Sequence, residues 1–234
     1  MDRAGREAFI RANTELLAVP HAPAIRLYLA NEALALWSKT EEELGAMGLP
    51  PPFWAFAWAG GQALARYILD RPEIVRGRRV LDFGAGSGIV AIVAALSGAG
   101  RVIAADIEPF AETAIALNAS ANSVSVETET RDLLALPRER FDVVLAGDVC
   151  YEQPMADKVV AWLGEHARDG ALVLIGDPGR SYLPRDRLER LMEYQVPVSR
   201  DLEDAEIKRT AVWRLTVDPS DSRTACPDDP AGPI

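Results

Sequence analysis

The chain has 234 residues, of which 49% are hydrophobic, and this length suits one α/β domain with a short extension better than two separate cores. Its 35 Asp and Glu residues outnumber its 25 Lys and Arg residues, and the net charge of −10 argues against nucleic acid as a partner and favours, weakly, a basic protein surface. Cys150 and Cys226 lie far apart with no histidine near them, which predicts neither a disulfide framework nor a metal site.

The first 60 residues precede the main domain and predict an N-terminal extension or lid, and no signal-type hydrophobic core follows the N-terminus. Residues 25–30 predict a strand, and residues 40–47 a short acidic segment. A helix is predicted over residues 61–69, with Leu64 and Ile68 facing inward. No apolar run in the chain reaches the roughly 18 residues of a membrane span. We therefore expect a soluble, cytoplasmic protein with no membrane partner.

Residues 61–217 predict the main domain. From residue 79 onward, short apolar runs alternate with segments of helical period, which is typical of a parallel sheet covered by helices on both faces. The predicted strands, including one edge strand with alternating polarity, are residues 79–83, 101–106, 124–128, 141–147 and 171–177. The predicted helices are residues 87–97, 109–121 and 154–167, two of which begin with a proline, a residue favoured in the first turn.

After residue 177 the pattern changes to a turn rich in Gly and Pro, a helix predicted around residues 185–192, and strands over residues 194–199 and 210–217. Too few residues join these two strands for a crossover helix, so the pair must be antiparallel. Five parallel strands followed by an antiparallel hairpin predict an α/β fold with the Rossmann-like seven-stranded sheet of class I methyltransferases. Residues 218–234 predict a disordered tail, because they cannot bury enough apolar surface to fold.

The first predicted strand of this sheet ends in Asp82 and continues into a turn that contains Gly84, Gly86 and Gly88. Glycines in a strand-to-helix turn let a ligand approach the backbone closely. A dinucleotide site requires the spacing G-x-G-x-x-G, whereas Ile89 occupies its last position here. An acid at the start of the loop suits the ammonium and sulfonium charges of S-adenosyl-L-methionine and would repel a pyrophosphate. The loop therefore predicts an S-adenosyl-L-methionine site; the alternative is a glycine turn that only joins strand to helix.

Two further acids follow neighbouring strands of the predicted sheet. Asp106 ends the second strand about 20 residues beyond the glycine loop, where a carboxylate can bind both ribose hydroxyls. Asp132 lies just beyond the third strand and is predicted to accept a hydrogen bond from the adenine amine, with a simple helix cap as the alternative. Both are therefore candidate cofactor ligands.

The fourth predicted strand delivers Asp148 and Tyr151 to its carboxyl end, beside the glycine loop at the switch point of the sheet. The methyl acceptor is expected there. An Asn-Pro-Pro-Tyr sequence at this position would have indicated a planar amide or an adenine amine as acceptor, and it is absent. An acid and a tyrosine three residues apart favour an aliphatic amine.

The Asp-x-x-Tyr spacing of Asp148 and Tyr151 resembles that of the seven-β-strand protein methyltransferases that modify lysine. Residues 52–62 (PFWAFAWAGGQ) and residues 174–180 (LIGDPGR) are similar to one branch, the electron transfer flavoprotein β-subunit lysine methyltransferase family. The similarity extends over residues 25–215. Ala59 departs from the proline expected in the family, which affects only the local backbone turn.

That resemblance implies a protein N-lysine methyltransferase that acts on the β subunit of electron transfer flavoprotein. It further implies that Trp58, Gly60 and Gln62 close over the cofactor and that Asp148 and Tyr151 frame the target lysine. Read from the residues alone, Trp54 and Phe56 could equally pack the extension onto the domain.

Two other functions remain open at this point: a small-molecule N-methyltransferase and a non-catalytic module that binds the cofactor. Hydrolysis by a Ser/His or Cys/His pair has no support, because the chain has only two histidines. His166 is expected to be solvated or to cap a helix, and His21 to lie in a loop. Cys150 lies close to the expected acceptor site but requires no role.

Overall fold

The computed structural model describes residues 1–30, 51–198 and 206–217. The helices in these ranges are α1 (Arg3–Asn13), α2 (Ala59–Asp70), α3 (Ile89–Leu96), α4 (Pro109–Ala121) and α5 (Met155–Arg168), with single 3₁₀ turns at Phe53–Ala55, Pro72–Ile74 and Arg185–Arg187. The strands are β1 (Glu15–Val19), β2 (Ala22–Leu29), β3 (Arg79–Phe83), β4 (Arg101–Ala105), β5 (Glu127–Glu129), β6 (Val143–Gly147), β7 (Leu172–Asp177), β8 (Leu188–Pro197) and β9 (Ile207–Leu215).

Seven strands form the main sheet, in the order β5-β4-β3-β6-β7-β9-β8. Strands β3 to β7 run parallel, and β9 lies antiparallel to both β7 and β8. This confirms the predicted class I methyltransferase sheet. The chain leaves β3 toward β4 on one side and returns as β6 on the other, so the carboxyl ends of β3 and β6 border the crevice where doubly wound sheets bind ligands.

Apolar residues cover both faces of this sheet. Val80 of β3 and Val143 of β6 belong to the cluster that packs under α2 and α3, whereas the next residues, Leu81 and Val144, belong to the cluster under α5. Successive side chains of a strand point to opposite faces, so a run of consecutive apolar residues supplies both clusters. Burial of each large aliphatic side chain stabilises the fold by about 1.5–3 kcal/mol relative to exposure.

The predicted helix around residues 185–192 is wrong. Only Arg185–Arg187 forms a 3₁₀ turn, and Leu188 begins the ten-residue strand β8. The register between β8 and β9 shifts after Arg190, because one extra residue bulges from the strand. The bulge interrupts the alternation of exposed and half-buried side chains along β8. Leu188, Leu191 and Met192 are half-buried as a result, and their spacing of three and four residues is the spacing of one face of a helix.

Smaller differences concern element ends. The edge strand predicted at residues 124–128 lies at Glu127–Glu129, and β9 runs over Ile207–Leu215 instead of residues 210–217. The spacing of apolar residues predicts that Phe110, Ala114, Leu117 and Ala121 share one face of α4; the first three are buried there, whereas Ala121 is exposed at the end of the helix. The predicted acidic segment at residues 40–47 and the predicted tail at 218–234 lie outside the described residues.

The predicted strand at residues 25–30 is part of β2, which pairs with β1 as a separate antiparallel hairpin. The extension packs against α4, where the Arg6 guanidinium donates to Thr113 Oγ1 (3.0 Å) and the Tyr28 amide donates to Asn118 Oδ1 (2.7 Å). Its role as a lid and the boundary at residue 60 remain predictions. In residues 1–30, 51–198 and 206–217, the helices are all too short or too polar to cross a membrane.

Candidate active site

The glycine turn after β3 has a conformation that other residues rarely adopt. Gly84, Gly86 and Gly88 have φ angles of +67°, +51° and +78°. Such left-handed angles are unfavourable for residues with a Cβ atom, which explains the three glycines. Gly88 is also sterically restricted, since an added Cβ would lie 3.0 Å from the Ile115 side chain. The turn therefore presents bare backbone at the carboxyl end of β3.

Asp82 lies beneath this turn and is 1% exposed. Its Oδ2 accepts a hydrogen bond from the Ala91 amide of α3 at 2.9 Å. Burial raises the pKa of Asp82 to about 7, the Asp106 charge adds to the rise, and the Ala91 amide opposes it. A buried acid with so high a pKa is poised to ionise when a cation is placed beside it.

Asp106 follows β4 and lies against the same turn. Its Oδ2 accepts a hydrogen bond from the Gly86 amide (2.8 Å), and its Oδ1 accepts one from the Glu108 amide (3.0 Å). Burial raises the pKa of Asp106, while these two amides act in the opposite direction. The structure thus brings Asp106 and the glycine turn together, as the sequence predicted.

A cleft opens between the turn, the start of α2 and the end of β6, with about 310 Å³ of empty space when its opening to solvent is included. The residues that line it are Phe56, Trp58, Gly61, Asp82, Gly84, Ala85, Gly86, Ser87, Ile89, Val90, Gly147 and Asp148. Five predicted site residues are in this set. The buried acid, the exposed glycine backbone and the aromatic walls of this cleft are the chemistry that S-adenosyl-L-methionine requires.

Asp148 occupies the far side of the cleft and is held from three directions. Its backbone has φ +58°, an uncommon value for a residue other than glycine, and its amide donates to Gly176 O at 2.9 Å. Its Oδ2 accepts from the Gly61 amide in the first turn of α2 (3.1 Å), and its Oδ1 accepts from the Arg180 guanidinium (2.9 Å). A carboxylate at a helix N-terminus is favoured by the helix dipole.

Aromatic rings surround the mouth of the cleft. The Phe53 ring lies 5.9 Å from the Trp58 ring and 5.9 Å from the Tyr151 ring, measured between centroids. Trp58 is anchored by its indole N–H, which donates to Phe53 O at 2.9 Å. Phe53 and Tyr151 are 44% and 52% exposed, so both remain accessible to a partner. Phe53 had no predicted role, although it belongs to the same aromatic segment.

The other aromatic residues of that segment differ in their contacts. Trp54 is buried and stacks on Phe110 of α4 at 5.6 Å, which is the packing alternative. Phe56 has both roles: it lines the cleft, and it packs against a neighbouring aromatic residue, the ring of Trp58, edge to face.

Several predicted residues lie away from the cleft wall. Asp132 is exposed and its Oδ1 accepts from the Leu134 amide at 2.9 Å, as in the capping alternative. Gln62 is 2% exposed, and its side-chain amide donates to Ala57 O and accepts from the His21 amide in the turn between β1 and β2. The structure therefore places neither side chain on the cleft wall.

Cys150 and His166 belong to the core. Burial raises the pKa of Cys150 to about 12, with a further contribution from Asp177 and Asp148. The expectation of a solvated His166 is wrong: it is 1% exposed and lies edge to face against Trp162 at 4.2 Å. Burial lowers the pKa of His166, which keeps the imidazole neutral. The helix end looked polar in sequence, but the imidazole points into the core.

Comparison with known proteins adds three findings. Residues 63–150 match the family model described as ribosomal protein L11 methyltransferase. The chain is 37% identical over 214 residues to electron transfer flavoprotein beta subunit lysine methyltransferase from Mus musculus, covering 88% of this chain and 83% of the mouse protein. Its identity to the protein of the same name from Danio rerio is 38% over 218 residues, covering 90% of this chain and 83% of that one.

Among solved structures, the chain is similar to magnesium protoporphyrin IX methyltransferase from Synechocystis PCC 6803 with bound S-adenosylmethionine. The TM-score is 0.52 at 15% identity, covering 80% of this chain and all of the other. At this level of identity the likeness shows a shared fold.

Proposed function

The chain belongs to the electron transfer flavoprotein beta subunit lysine methyltransferase family, and we propose that it methylates lysine on the β subunit of electron transfer flavoprotein. Methyl transfer from S-adenosyl-L-methionine is the reaction of the family and of this chain. The observation that carries the lysine assignment is the position of Asp148, buried at the inner end of a cleft whose mouth is ringed by Phe53, Trp58 and Tyr151.

The cofactor lies on the glycine turn in this proposal. Asp106 accepts hydrogen bonds from the ribose hydroxyls in addition to those from its two backbone amides, since each carboxylate oxygen has two lone pairs. Asp82 balances the cofactor's positive charges, the backbone of Gly84, Gly86 and Gly88 contacts the cofactor, and Trp58 forms a wall. Asp132 lies away from the cleft wall in the structure and would accept from the adenine amine only if the adenine extends beyond this cleft.

Methyl transfer requires little beyond alignment. The lysine ammonium first loses a proton to solvent; its nitrogen then bonds to the methyl carbon as the carbon–sulfur bond breaks, leaving a methylammonium and a neutral thioether. A neutral amine held about 3 Å from the methyl carbon in an in-line geometry is the main demand on the enzyme. Asp148 orients this amine by accepting a hydrogen bond, and Tyr151 forms a wall of the channel.

An aliphatic side chain on a protein fits the site better than a free small amine. Tyr151 and Phe53 are exposed at the rim, so the mouth is open to a large partner. The net charge of −10 also favours association with a basic protein surface over an acidic one.

The decisive experiment incubates the pure protein with the recombinant flavoprotein β subunit and S-adenosyl-L-methionine, followed by mass spectrometry of the subunit. We expect added methyl mass on lysine with the wild-type enzyme. Asp148→Ala should abolish it while cofactor affinity, measured by calorimetry, stays nearly unchanged, because the lost interaction belongs to the acceptor and the transition state.

Asp148→Asn is the matched control for structure, since its amide oxygen can still accept from the Gly61 amide. Methyl transfer by Asp148→Ala at the wild-type rate would contradict the assignment. A parallel incubation with cell extract separates the alternatives: methylation of a small amine would support a small-molecule enzyme, and no methylation of any acceptor would support a non-catalytic module.

A further inference from the structure

The Asp148 carboxylate already has a cationic partner in this structure. The Arg180 guanidinium forms an ion pair with Asp148 Oδ1 at 2.9 Å, and the two side chains are only 23% and 9% exposed. The Arg180 guanidinium also lies over the ring of Trp58, with 5.8 Å between Cζ and the ring centroid. Arg180 therefore contacts both Asp148 and the aromatic ring of Trp58.

The backbone of Arg180 is as firmly placed as its side chain. Asp177, at the end of β7, accepts hydrogen bonds on Oδ1 from the amides of Gly179 (2.6 Å) and Arg180 (2.7 Å). Asp177 is 1% exposed, so this turn is built into the end of the sheet. The buried end of β7 therefore fixes the position from which the Arg180 guanidinium reaches Asp148.

An unpaired Asp148 would oppose the reaction. A carboxylate within about 4–6 Å of a lysine ammonium raises the lysine pKa by about 1–3 units, which holds the amine in the protonated, unreactive form. Pairing with Arg180 removes the net negative charge and leaves the oxygen lone pairs, so the site retains a hydrogen-bond acceptor without stabilising the ammonium.

We propose that Arg180 is a positioning residue that neutralises Asp148, so that the acceptor lysine binds as its neutral, reactive amine. This inference rests on the proposed lysine specificity. The pH at which turnover becomes half-maximal then reflects the pKa of the acceptor lysine beside a neutral ion pair. Beside Asp148 alone, that lysine pKa would be higher. Among residues 1–30, 51–198 and 206–217, the other ionisable groups near the pair include Cys150, Tyr151 and Glu152 on the loop after β6, Asp177 and Arg185 on the loop after β7, and Asp82 and Asp106 across the cleft.

The test compares Arg180→Met, which removes the charge, with Arg180→Lys, which retains it. Single-turnover methylation of the flavoprotein β subunit is followed from pH 6 to 10 at saturating cofactor. We expect Arg180→Met to move the half-maximal pH upward by about one unit, with unchanged calorimetric affinity for the cofactor, and Arg180→Lys to stay close to wild type. Arg101→Met, which removes an exposed charge paired with Glu127 at the start of β4, should not move the profile.

A merely structural role predicts the opposite pattern, in which both Arg180 variants lose rate equally at every pH. A lower cofactor affinity with an unmoved profile would mean that Arg180 binds the cofactor. Higher turnover of Arg180→Met at every pH would mean that it blocks the site. Each of these results would overturn the proposal.

A second measurement needs no acceptor and so separates this inference from the proposed function. Carbon-13 carboxyl signals of aspartate are titrated in wild type and Arg180→Met, with Asp148 assigned by the loss of its signal in Asp148→Asn. We expect the pKa of Asp148 to rise when Arg180 is removed, and an unchanged value would overturn the proposal. If the wild-type enzyme leaves the flavoprotein unmethylated, the substrate assignment fails, while this titration still decides the role of Arg180.

Discussion

Gly60 and Gly176 contact each other backbone to backbone, and a Cβ atom added to either would lie 2.1 Å from the carbonyl oxygen of the other. The first turn of α2 therefore rests directly on the end of β7. This contact brings the Gly61 amide to the Asp148 carboxylate, and the Asp148 amide donates to the same Gly176 carbonyl. Two glycines thus determine how close Asp148 lies to the first turn of α2.

Gly60→Ala should lower the free energy of unfolding by about 1–3 kcal/mol or more, because the added methyl group collides with backbone that cannot move independently. It should also lower methyl transfer, since α2 must shift away from Asp148. Urea unfolding followed by circular dichroism measures the first effect, and a methylation assay the second. Gly77→Ala is the matched control. A Cβ atom added at Gly77 would have open space around it, so the only expected cost is that of a left-handed backbone angle, about 1–2 kcal/mol. A Gly60→Ala variant with wild-type stability would show that the backbone contact is looser than described.

Asp106→Ala should weaken S-adenosyl-L-methionine binding by roughly ten- to a hundredfold. Hydrogen bonds to a charged group contribute about 1.5–3 kcal/mol, and the variant also frees the Gly86 amide that helps to shape the turn. Calorimetry measures the change in Kd. The control is Glu112→Ala, an acid of α4 that pairs with Arg6 and should leave the affinity unchanged. Equal affinities for wild type and Asp106→Ala would remove Asp106 from the site.

Cofactor affinity should depend on pH through Asp82. Its pKa is about 7 in the cofactor-free protein because it is buried, and a bound cation favours the ionised form. Binding therefore releases a proton below pH 7, and Kd should rise by about five- to tenfold as pH falls from 7.5 to 6. Asp82→Asn should bind more weakly at pH 7.5 and lose most of this dependence. Calorimetric titrations at several pH values test the slope; an equal slope in both proteins would assign the titration to another group.

The same pKa has a consequence for stability. The folded-state pKa of Asp82 lies above the ordinary aspartate value of 3.8, so the folded protein binds more protons than the unfolded chain between about pH 4 and 7. The stability contributed by the protonated form is present at low pH and is lost as the pH rises through 7. Asp82→Asn should therefore raise the free energy of unfolding of the cofactor-free protein at pH 8 more than at pH 5. Denaturant unfolding at pH 5 and pH 8 measures the gain in the free energy of unfolding. An equal gain at the two pH values would contradict this prediction.

Cys150 should be dispensable for methyl transfer. Burial raises its pKa to about 12, so the thiol is almost wholly protonated at pH 8 and is a poor nucleophile. Cys150→Ala should retain activity within about twofold, apart from a small loss of stability from the vacated volume. Peptide mass spectrometry after brief alkylation should find Cys150 unmodified in the native protein and modified after unfolding. A folded but inactive Cys150→Ala variant would indicate a covalent intermediate.

Local chemistry in the sequence was sufficient to predict the glycine turn and the position of Asp106 beside it. Gly84, Gly86 and Gly88 appear there because the turn requires left-handed backbone, and Asp106 follows a strand whose apolar run is readable without any partner. Helix α4 was likewise predicted from its first residue to its last, since Pro109 marks its start and Phe110, Ala114 and Leu117 share one buried face. Each of these features depends on neighbours within a few residues.

The surroundings of Asp148 were decided by tertiary structure. Sequence pattern placed Asp148 at the end of a strand, but its partners Gly61 and Arg180 lie 87 and 32 residues away along the chain. The bulge in β8 was also invisible, because it exists only in the register with β9. Short-range periodicity reports which face of an element is buried, whereas contacts between the ends of different strands depend on how the sheet and α2 pack together. The ion pair between Asp148 and Arg180 is such a contact, and only the folded chain brings it into being.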